Sequence, residues 1–153
     1  LLADDGIAFE ERIGHNAVDL VNCMLNYGYA VLYSRVCQAL LSAQLNPYDS
    51  VIHVRQTGKP TFSFDFIELF RSQAVDRVVI SMLQKGEEAE VKDGKLTEQT
   101  KKILIGNLTE RMYKHEQYRG ESTMFENIIR KQAKEIAEYF SEGKTYKPYK
   151  AKW

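Results

Sequence analysis

The sequence predicts an all-α fold, and three observations carry this prediction. Apolar residues recur at three- and four-residue spacing over long stretches, which is the period of a helix buried on one face. Almost no stretch shows the strict alternation of a half-buried strand. The 153 residues are 44% hydrophobic and 27% charged, an ordinary globular composition with enough apolar material for one core. We therefore expect a single domain over 1–153, with at most a small hairpin near 87–95.

The first predicted helix covers about Ala17 to Ala43. Its apolar residues return to one helical face: Val18, Val21, Leu25, Leu32, Val36 and Leu40. Asn46-Pro47 ends the helix, because a residue before proline disfavours helical backbone. The following stretch, Tyr48 to Lys59, indicates a short connector and places His53 in a loop between helices.

The second predicted helix begins at Ser63, as its N-cap, and ends near Gln84. Its core stripe is spaced by four residues: Phe66, Phe70, Ala74, Val78 and Met82. After it, the acidic segment contains Asp93-Gly94, which supplies the positive φ of a tight turn. This dipeptide predicts the small hairpin or an exposed loop.

Two more helices complete the predicted fold. One follows Thr97 as its N-cap and the other follows Ser122. Each has an apolar face at helical spacing, and Gly143 is a natural stop for the last helix because glycine accepts the left-handed conformation. The sequence thus predicts four helices and a short tail, residues 144–153.

Charge is balanced overall but unevenly distributed. Lys plus Arg and Asp plus Glu both number 21, and a net charge of zero argues against extensive phosphate neutralisation. The tail differs, since its lysines meet no acid after Glu142 and aromatic residues lie among them: Tyr146, Tyr149 and Trp153. Aromatic rings among lysines suit nucleic acid. We expect the tail to contact DNA backbone or a partner subunit rather than the domain's own core.

Several classes of protein are excluded. No run approaches the roughly eighteen consecutive apolar residues that a membrane span requires, so no membrane contact is expected. Cys23 and Cys37 are too few and too far apart for a disulfide framework or a zinc knuckle. A reducing cytoplasm is the expected location. The sequence also lacks a Ser-His-Asp order and a glycine-rich phosphate loop, which leaves metal chemistry on phosphate.

Asp65 and Glu68 place two carboxylates on one face of the second predicted helix. One explanation is purely structural, because Arg71 can pair with Glu68 at a spacing of three residues. The other is that both carboxylates, with His53 from the preceding loop, hold a divalent cation. Oxygen ligands suit Mg²⁺ and Mn²⁺, and an imidazole shifts the preference toward Mn²⁺.

A series of motifs in one order carries a family resemblance. They are Asp19-Leu20-Val21-Asn22, Leu25 to Leu32, Asn46-Pro47, His53, Gly58-Lys59-Pro60-Thr61, Phe64 to Arg71, Val75-Asp76-Arg77-Val78 and Tyr146-Lys147-Pro148-Tyr149. From about residue 9 to its end, the chain resembles the helical catalytic domain of the Cas-one family of CRISPR adaptation integrases. Several ordered motifs at compatible spacing are far more specific than the metal triplet alone.

The resemblance implies that His53 and Glu68 bind a Mg²⁺ or Mn²⁺ ion, with Asp65 as a further ligand or as a support for the ligands. It also implies DNA contacts by basic residues of the histidine loop and the acidic helix: Arg55, Lys59, Arg71 and Arg77. The last two arginines would brace the acidic cluster or face phosphate. The implied reaction is metal-dependent phosphodiester transfer, in which a DNA 3′-hydroxyl attacks a repeat strand to insert a spacer, and endonuclease activity is associated with the same site.

The implied partners are spacer and repeat DNA, a Cas-two type subunit, and a second copy of the full-length protein. The sequence departs from the family pattern in two ways. Ser50-Val51-Ile52 replaces the usual glycine-rich approach to the histidine, and no Glu-Gly-containing helix supplies the family's additional metal ligand. We therefore expect a fragment without the N-terminal β domain, inactive alone. The alternative is a non-catalytic helical module that docks a protein partner.

Overall fold

The computed structural model describes residues 9, 11–14, 16–49 and 61–150. In that part of the chain five α-helices, one π-helix and two hairpins surround a single hydrophobic core. The helices are α1 (Leu20–Ser42), α2 (Thr61–Ile67), the π-helix (Ser72–Asp76), α3 (Arg77–Gln84), α4 (Glu98–Tyr113) and α5 (Phe125–Glu142). The predicted all-α class is confirmed. None of the described helices has the length and apolar character needed to cross a membrane.

Helix α1 begins at a side-chain cap. The Asp19 carboxylate accepts a hydrogen bond from the backbone N–H of Asn22 (2.9 Å), one of the donors that a helix start leaves unpaired. The Asn22 amide is buried; its nitrogen donates to the Glu11 carbonyl (2.9 Å) and its oxygen accepts from the Ile13 N–H (2.9 Å). This pair therefore anchors the preceding segment to α1.

Replacing Asp19 with alanine is expected to lower the free energy of unfolding by about 1 kcal/mol, because the cap is lost. Burial acts to raise the pKa of Asp19, but hydrogen bonds from Asn22 outweigh it and hold the pKa below its usual value. The carboxylate's charge therefore stabilises the fold above about pH 4, and that contribution is lost as the pH falls through the lowered pKa.

Denaturant unfolding at pH 7 and pH 3 measures this effect. Asp19→Asn is the matched control, since asparagine also caps helices but does not titrate. We expect Asn to retain most of the stability at pH 7 and to reduce its dependence on pH. Equal losses in the Asn and Ala variants would show that the cap hydrogen bond is not the cause.

The second predicted helix is broken, which corrects the sequence prediction of one helix from Ser63 to Gln84. Ser63 is not an N-cap; it lies fully buried inside α2, with its hydroxyl 3.1 Å from the Cys37 sulfur. A turn at residues 68–70 ends α2, and the π-helix precedes α3. The predicted core stripe is nevertheless buried throughout: Phe66, Phe70, Ala74, Val78 and Met82. Burial of these side chains holds the interrupted segments together as one packed unit.

Glycine at position 28 lets α1 approach the π-helix closely. A Cβ built on Gly28 would lie 2.5 Å from the Cγ1 of Val75, far inside a normal contact distance. Val75 is completely buried, and its β-branched side chain has little freedom to turn away. The geometry therefore requires glycine here, and the contact fixes the π-helix against α1.

The first hairpin agrees with the prediction. Strands β1 (Val91–Lys92) and β2 (Lys95–Leu96) pair antiparallel, and Asp93 and Gly94 between them both have positive φ, at 50° and 69°. Helix α4 follows directly, and the Thr97 side chain accepts from the Thr100 N–H as predicted for an N-cap.

A second hairpin, absent from the prediction, lies between α4 and α5. Strands β3 (His115–Tyr118) and β4 (Glu121–Met124) pair antiparallel around Arg119 and Gly120, whose φ values are 52° and 88°. Ser122 is consequently a strand residue, and α5 begins at Phe125. The strands are short and largely exposed, so they carry no alternating apolar signal.

The tail packs on the domain, which contradicts the prediction that it avoids the core. Tyr149 stacks on Phe70 with ring centroids 5.7 Å apart, and its backbone N–H donates to the buried Gln132 side chain (2.7 Å). The hydroxyl of Tyr146 donates to the same oxygen (2.8 Å). Lys144 also has acidic partners, Glu138 and Glu142. The aromatic residues of the tail that the structure describes serve packing; Trp153 lies outside the described residues.

Candidate functional site

A cleft of about 740 Å³ lies between α1, the segment before it, and the end of α2. Its walls combine two arginines, a carboxylate, an amide and several aromatic or aliphatic surfaces. The lining residues are Arg12, Gly14, Asn26, Tyr29, Ala30, Tyr33, Phe64, Ile67, Glu68 and Arg71. Two of the predicted site residues, Glu68 and Arg71, therefore share one concave surface.

Tyr29 organises the floor of this cleft. Its hydroxyl donates a short hydrogen bond to the Asp76 carboxylate, which the π-helix presents to α1. Burial raises the pKa of the Tyr29 hydroxyl, the Asp76 hydrogen bond raises it further, and Arg71 only partly opposes these effects. The phenol therefore stays protonated at neutral pH and acts as a fixed hydrogen-bond donor.

Arg71 connects the tyrosine to the acidic face. Its guanidinium carbon lies 4.3 Å from the centroid of the Tyr29 ring, and its Nη1 donates to Glu68 Oε1 (2.6 Å). Burial acts to lower the pKa of Arg71, but hydrogen bonds to Glu68 and Tyr29 outweigh it and raise the pKa. The ion pair predicted from the three-residue spacing is thus present, and Glu68 keeps 59% of its side chain exposed to solvent.

A second guanidinium reaches the same ring from the N-terminal segment. The guanidinium carbon of Arg12 lies 5.2 Å from the Tyr29 centroid, and its nitrogens donate to Asn22 (3.0 Å) and Asn26 (2.5 Å). Both amides belong to α1, so Arg12 is held in place by hydrogen bonds to neutral groups. Among the described residues its charge interacts with that of Asp19, the N-cap of α1.

The cleft contains one carboxylate, Glu68, and a second, Asp65, lies nearby in the sequence without lining the cleft. The Glu68 carboxylate is accessible, and Asp65, three residues earlier on α2, is half-buried with its Oδ2 shielded from solvent. Carboxylate oxygens are the ligands that Mg²⁺ and Mn²⁺ prefer. No cluster of three or more His, Cys, Asp or Glu side chains with metal-binding geometry occurs among the described residues.

The predicted site residues are distributed as follows. His53, Arg55 and Lys59 lie outside the described residues, so the convergence of His53 with Glu68 stays a prediction. Arg77 does not line the cleft; it donates to Gln73 (3.0 Å) and faces a separate groove between α3 and α4. Arg71 is the predicted basic residue that the structure brings to the acidic face.

The sequence patterns assigned no role to Tyr29, Asp76, Arg12 or Asn26. Tyr29 and Asp76 are 47 residues apart, and the turn at residues 68–70 and the π-helix set their register. Neither interruption leaves a periodic signal in the sequence. The one available clue was that both residues lie inside ordered motifs, next to Gly28 and Val75 respectively.

Comparison with protein families gives a match that covers most of the chain. The family model of "CRISPR associated protein Cas1" matches residues 1–139. A CRISPR-associated endonuclease Cas1 from Francisella tularensis subsp. novicida is 34% identical over 146 residues, which cover 95% of this chain and 45% of the relative. A second from Archaeoglobus fulgidus is 33% identical over 143 residues, covering 90% and 41%. The chain thus spans less than half the length of these relatives.

Solved structures show the same fold. A casposase bound to integration product superposes with a TM-score of 0.81 at 23% identity, covering 90% of this chain and 43% of that one. A CAS1 protein from Thermotoga maritima gives a TM-score of 0.77 at 15% identity over 90% of this chain and 47% of that one. A Cas6-RT-Cas1–Cas2 complex contains a chain that matches with a TM-score of 0.74 at 20% identity, covering 90% and 16%.

Proposed function

The chain belongs to the CRISPR-associated Cas1 family, and on that basis we propose that it is the metal-dependent DNA endonuclease and integrase domain of a spacer-acquisition protein. The proposed reaction is phosphodiester transfer on DNA. The observation that carries the proposal is the placement of an accessible carboxylate, Glu68, beside two arginines and a protonated tyrosine in one cleft. This arrangement offers oxygen ligands to a cation and positive charge to a phosphate.

We assign the metal to His53 and Glu68, with Asp65 as a further ligand or as a support for the ligands. A bound Mg²⁺ or Mn²⁺ would stabilise negative charge on the attacked phosphate. Arg71 orients the Glu68 carboxylate through their ion pair, and the hydrogen bond that Tyr29 donates to Asp76 holds the tyrosine ring against Arg71. Arg12 and Arg71 give the cleft the positive charge that DNA backbone requires.

The partners of the complete protein are part of the same proposal. The fold neighbours include a casposase bound to integration product and a complex that contains both Cas1 and Cas2. We propose spacer and repeat DNA as substrates, a Cas2-type subunit as partner, and a homodimer for the longer protein. Cys23 and Cys37 are both free thiols, as a reducing cytoplasm would keep them.

Arg71→Gln tests the DNA side of the proposal. Affinity for labelled branched DNA, measured by fluorescence anisotropy over a NaCl series, should fall linearly on logarithmic axes for the wild type. Loss of one phosphate-facing guanidinium should weaken binding and reduce the salt slope by about 1.

Lys131→Gln is the matched control, because Lys131 lies on α5 and pairs with Glu121, outside the cleft. It should leave the slope unchanged. The double variant Arg71→Gln/Glu68→Gln has the same net charge as the wild type. It therefore distinguishes loss of the Arg71 contact from the effect of a change in net charge. Equal slopes for the wild type and both Arg71 variants would contradict a DNA backbone contact in this cleft.

A further inference from the structure

The groove between α3 and α4 is a separate concave surface with a distinct composition. It encloses about 150 Å³ and shares no lining residue with the Tyr29 cleft. Arg111 of α4 contacts Gln73 just before α3, and Asn107 of α4 contacts Glu87 just after it. The two helices therefore run side by side in opposite directions, and the groove lies between α3 and the last two turns of α4.

Three cations of this groove have no acidic partner among the described residues. The three are Arg77 at the start of α3, Lys85 at the C-cap of α3 and Lys114 at the C-cap of α4. Within the described part of the chain, none of these three side chains forms an ion pair, although Glu110 also lines the groove. Other lysines without an ion pair among the described residues, such as Lys95 and Lys102, do not line this groove, so the grouping of three such cations distinguishes it. In a chain with zero net charge, this grouping makes a local positive surface.

Arg111 gives the groove a buried donor. Only 7% of its side chain is exposed, its Nε donates to the Gln73 carbonyl (2.7 Å), and its Nη2 pairs with Glu116 (2.6 Å). The remaining nitrogen, Nη1, is buried and has no hydrogen-bond acceptor in the part of the chain that the structure describes. The guanidinium is fixed over the Phe125 ring at 4.1 Å, so it cannot turn to find another partner. An unmet buried donor carries a desolvation penalty that an incoming oxyanion would relieve.

We infer that this groove binds a phosphodiester of the DNA backbone, as a second contact apart from the Tyr29 cleft. The inference rests on the proposed function, which makes DNA the ligand. Lys85 and Lys114 supply mobile charges, Arg77 supplies a planar donor, and Arg111 supplies a fixed donor behind them. The hydroxyl of Ser81, on the α3 side, adds a neutral donor.

A competing explanation for the two lysines is helix capping. Lys85 and Lys114 occupy the C-caps of α3 and α4, where a positive charge interacts favourably with the negative end of the helix dipole. That role predicts a change in stability without a change in ligand binding. It does not account for Arg77, at the start of α3, or for the unmet Arg111 nitrogen.

The test compares two double variants of the full chain that remove equal charge. Lys85→Gln/Lys114→Gln changes the groove, and Lys131→Gln/Lys134→Gln changes the exposed face of α5. With duplex DNA in a NaCl series, the groove variant should bind about tenfold more weakly at low salt, with a slope lower by about 2. The α5 variant should stay within about twofold of the wild type. Circular dichroism verifies that both are folded.

Each outcome has one meaning. If the wild type binds DNA in a salt-dependent way and the groove variant binds equally well, the groove site is wrong and the proposed function still stands. Absence of DNA binding by the wild type would overturn the proposed function itself. A titration with inorganic phosphate, followed by amide NMR shifts at Ser81 and Lys85, distinguishes binding of free phosphate from binding of the DNA backbone. Shifts with phosphate but none with DNA would overturn the assignment to nucleic acid.

Discussion

The chain assayed by itself is expected to cleave or join DNA at a rate close to background, about three decades below a complete enzyme of the family. Under the proposed assignment of the metal to His53 and Glu68, with support from Asp65, water must fill the remaining coordination positions. Mg²⁺ dehydrates reluctantly and is held by few protein ligands, so its affinity should be low. The charge stabilisation that depends on a well-positioned cation is then largely lost.

Turnover of branched and linear DNA with Mg²⁺ or Mn²⁺ measures this expectation. The full-length Francisella relative, under the same conditions, is the positive control. Turnover by this chain at the rate of the full-length relative, abolished by His53→Ala, would refute the claim that a further ligand is needed.

Gly28→Ala is expected to destabilise the fold by about 1 to 3 kcal/mol, as overpacking of a core contact does. The new methyl group would meet Val75 Cγ1 at 2.5 Å, and the completely buried Val75 cannot move aside without shifting the π-helix. That shift would also separate Asp76 from Tyr29. The variant should therefore unfold at lower denaturant concentration and show a perturbed tyrosine signal.

Gly106→Ala is the matched control on α4, because a Cβ added at Gly106 would meet no described atom within 4 Å apart from its chain neighbours and the adjacent backbone of its own helix. Alanine there should stabilise the helix by about 0.5 to 1 kcal/mol. The double variant Gly28→Ala/Val75→Ala should recover part of the loss, which a double-mutant cycle measures as coupling. Additive losses at positions 28 and 75 would contradict a direct steric contact.

The sequence predicted those parts of the fold that depend on local chemistry. Thr97 caps α4, Asp93-Gly94 forms the turn of the first hairpin, and Gly143 ends α5 in the left-handed conformation, with φ at 68°. Each of these features needs only a few neighbouring residues. The core stripe of the second predicted helix was also identified correctly, because burial follows the four-residue spacing even where the backbone is interrupted.

The errors arise where distant contacts decide the local backbone. The helix from Ser63 to Gln84 was predicted as continuous, but a turn and the π-helix interrupt it. Gly28 of α1 packs against the π-helix. The tail was predicted to be a basic segment away from the core. Gln132, which is buried on α5, accepts hydrogen bonds from the Tyr146 hydroxyl and the Tyr149 backbone N–H. No periodic pattern in either segment records these partners.

In the candidate site, too, local contacts were predicted and contacts between distant elements were not. The pairing of Glu68 with Arg71 follows from helical spacing and was predicted as one of two explanations. The contributions of Tyr29, Asp76 and Arg12 depend on packing between separate elements, so composition and spacing could not supply them. The ordered family motifs indicated the metal ligands His53 and Glu68, whose joint action stays a prediction.

Pulsed electron paramagnetic resonance of Mn²⁺ added to this chain tests the central claim, that His53 and Glu68 hold one divalent cation. A coordinated imidazole produces nitrogen modulations in the Mn²⁺ echo. We predict that the chain shows them, that His53→Ala removes them, and that Glu68→Gln weakens Mn²⁺ affinity by about tenfold, roughly the 1.4 kcal/mol of one lost ligand contact. His115→Ala, on exposed β3, should leave the signal intact. Mn²⁺ binding without nitrogen modulations, or unchanged by His53→Ala and Glu68→Gln, would contradict the metal site and favour a non-catalytic interaction module.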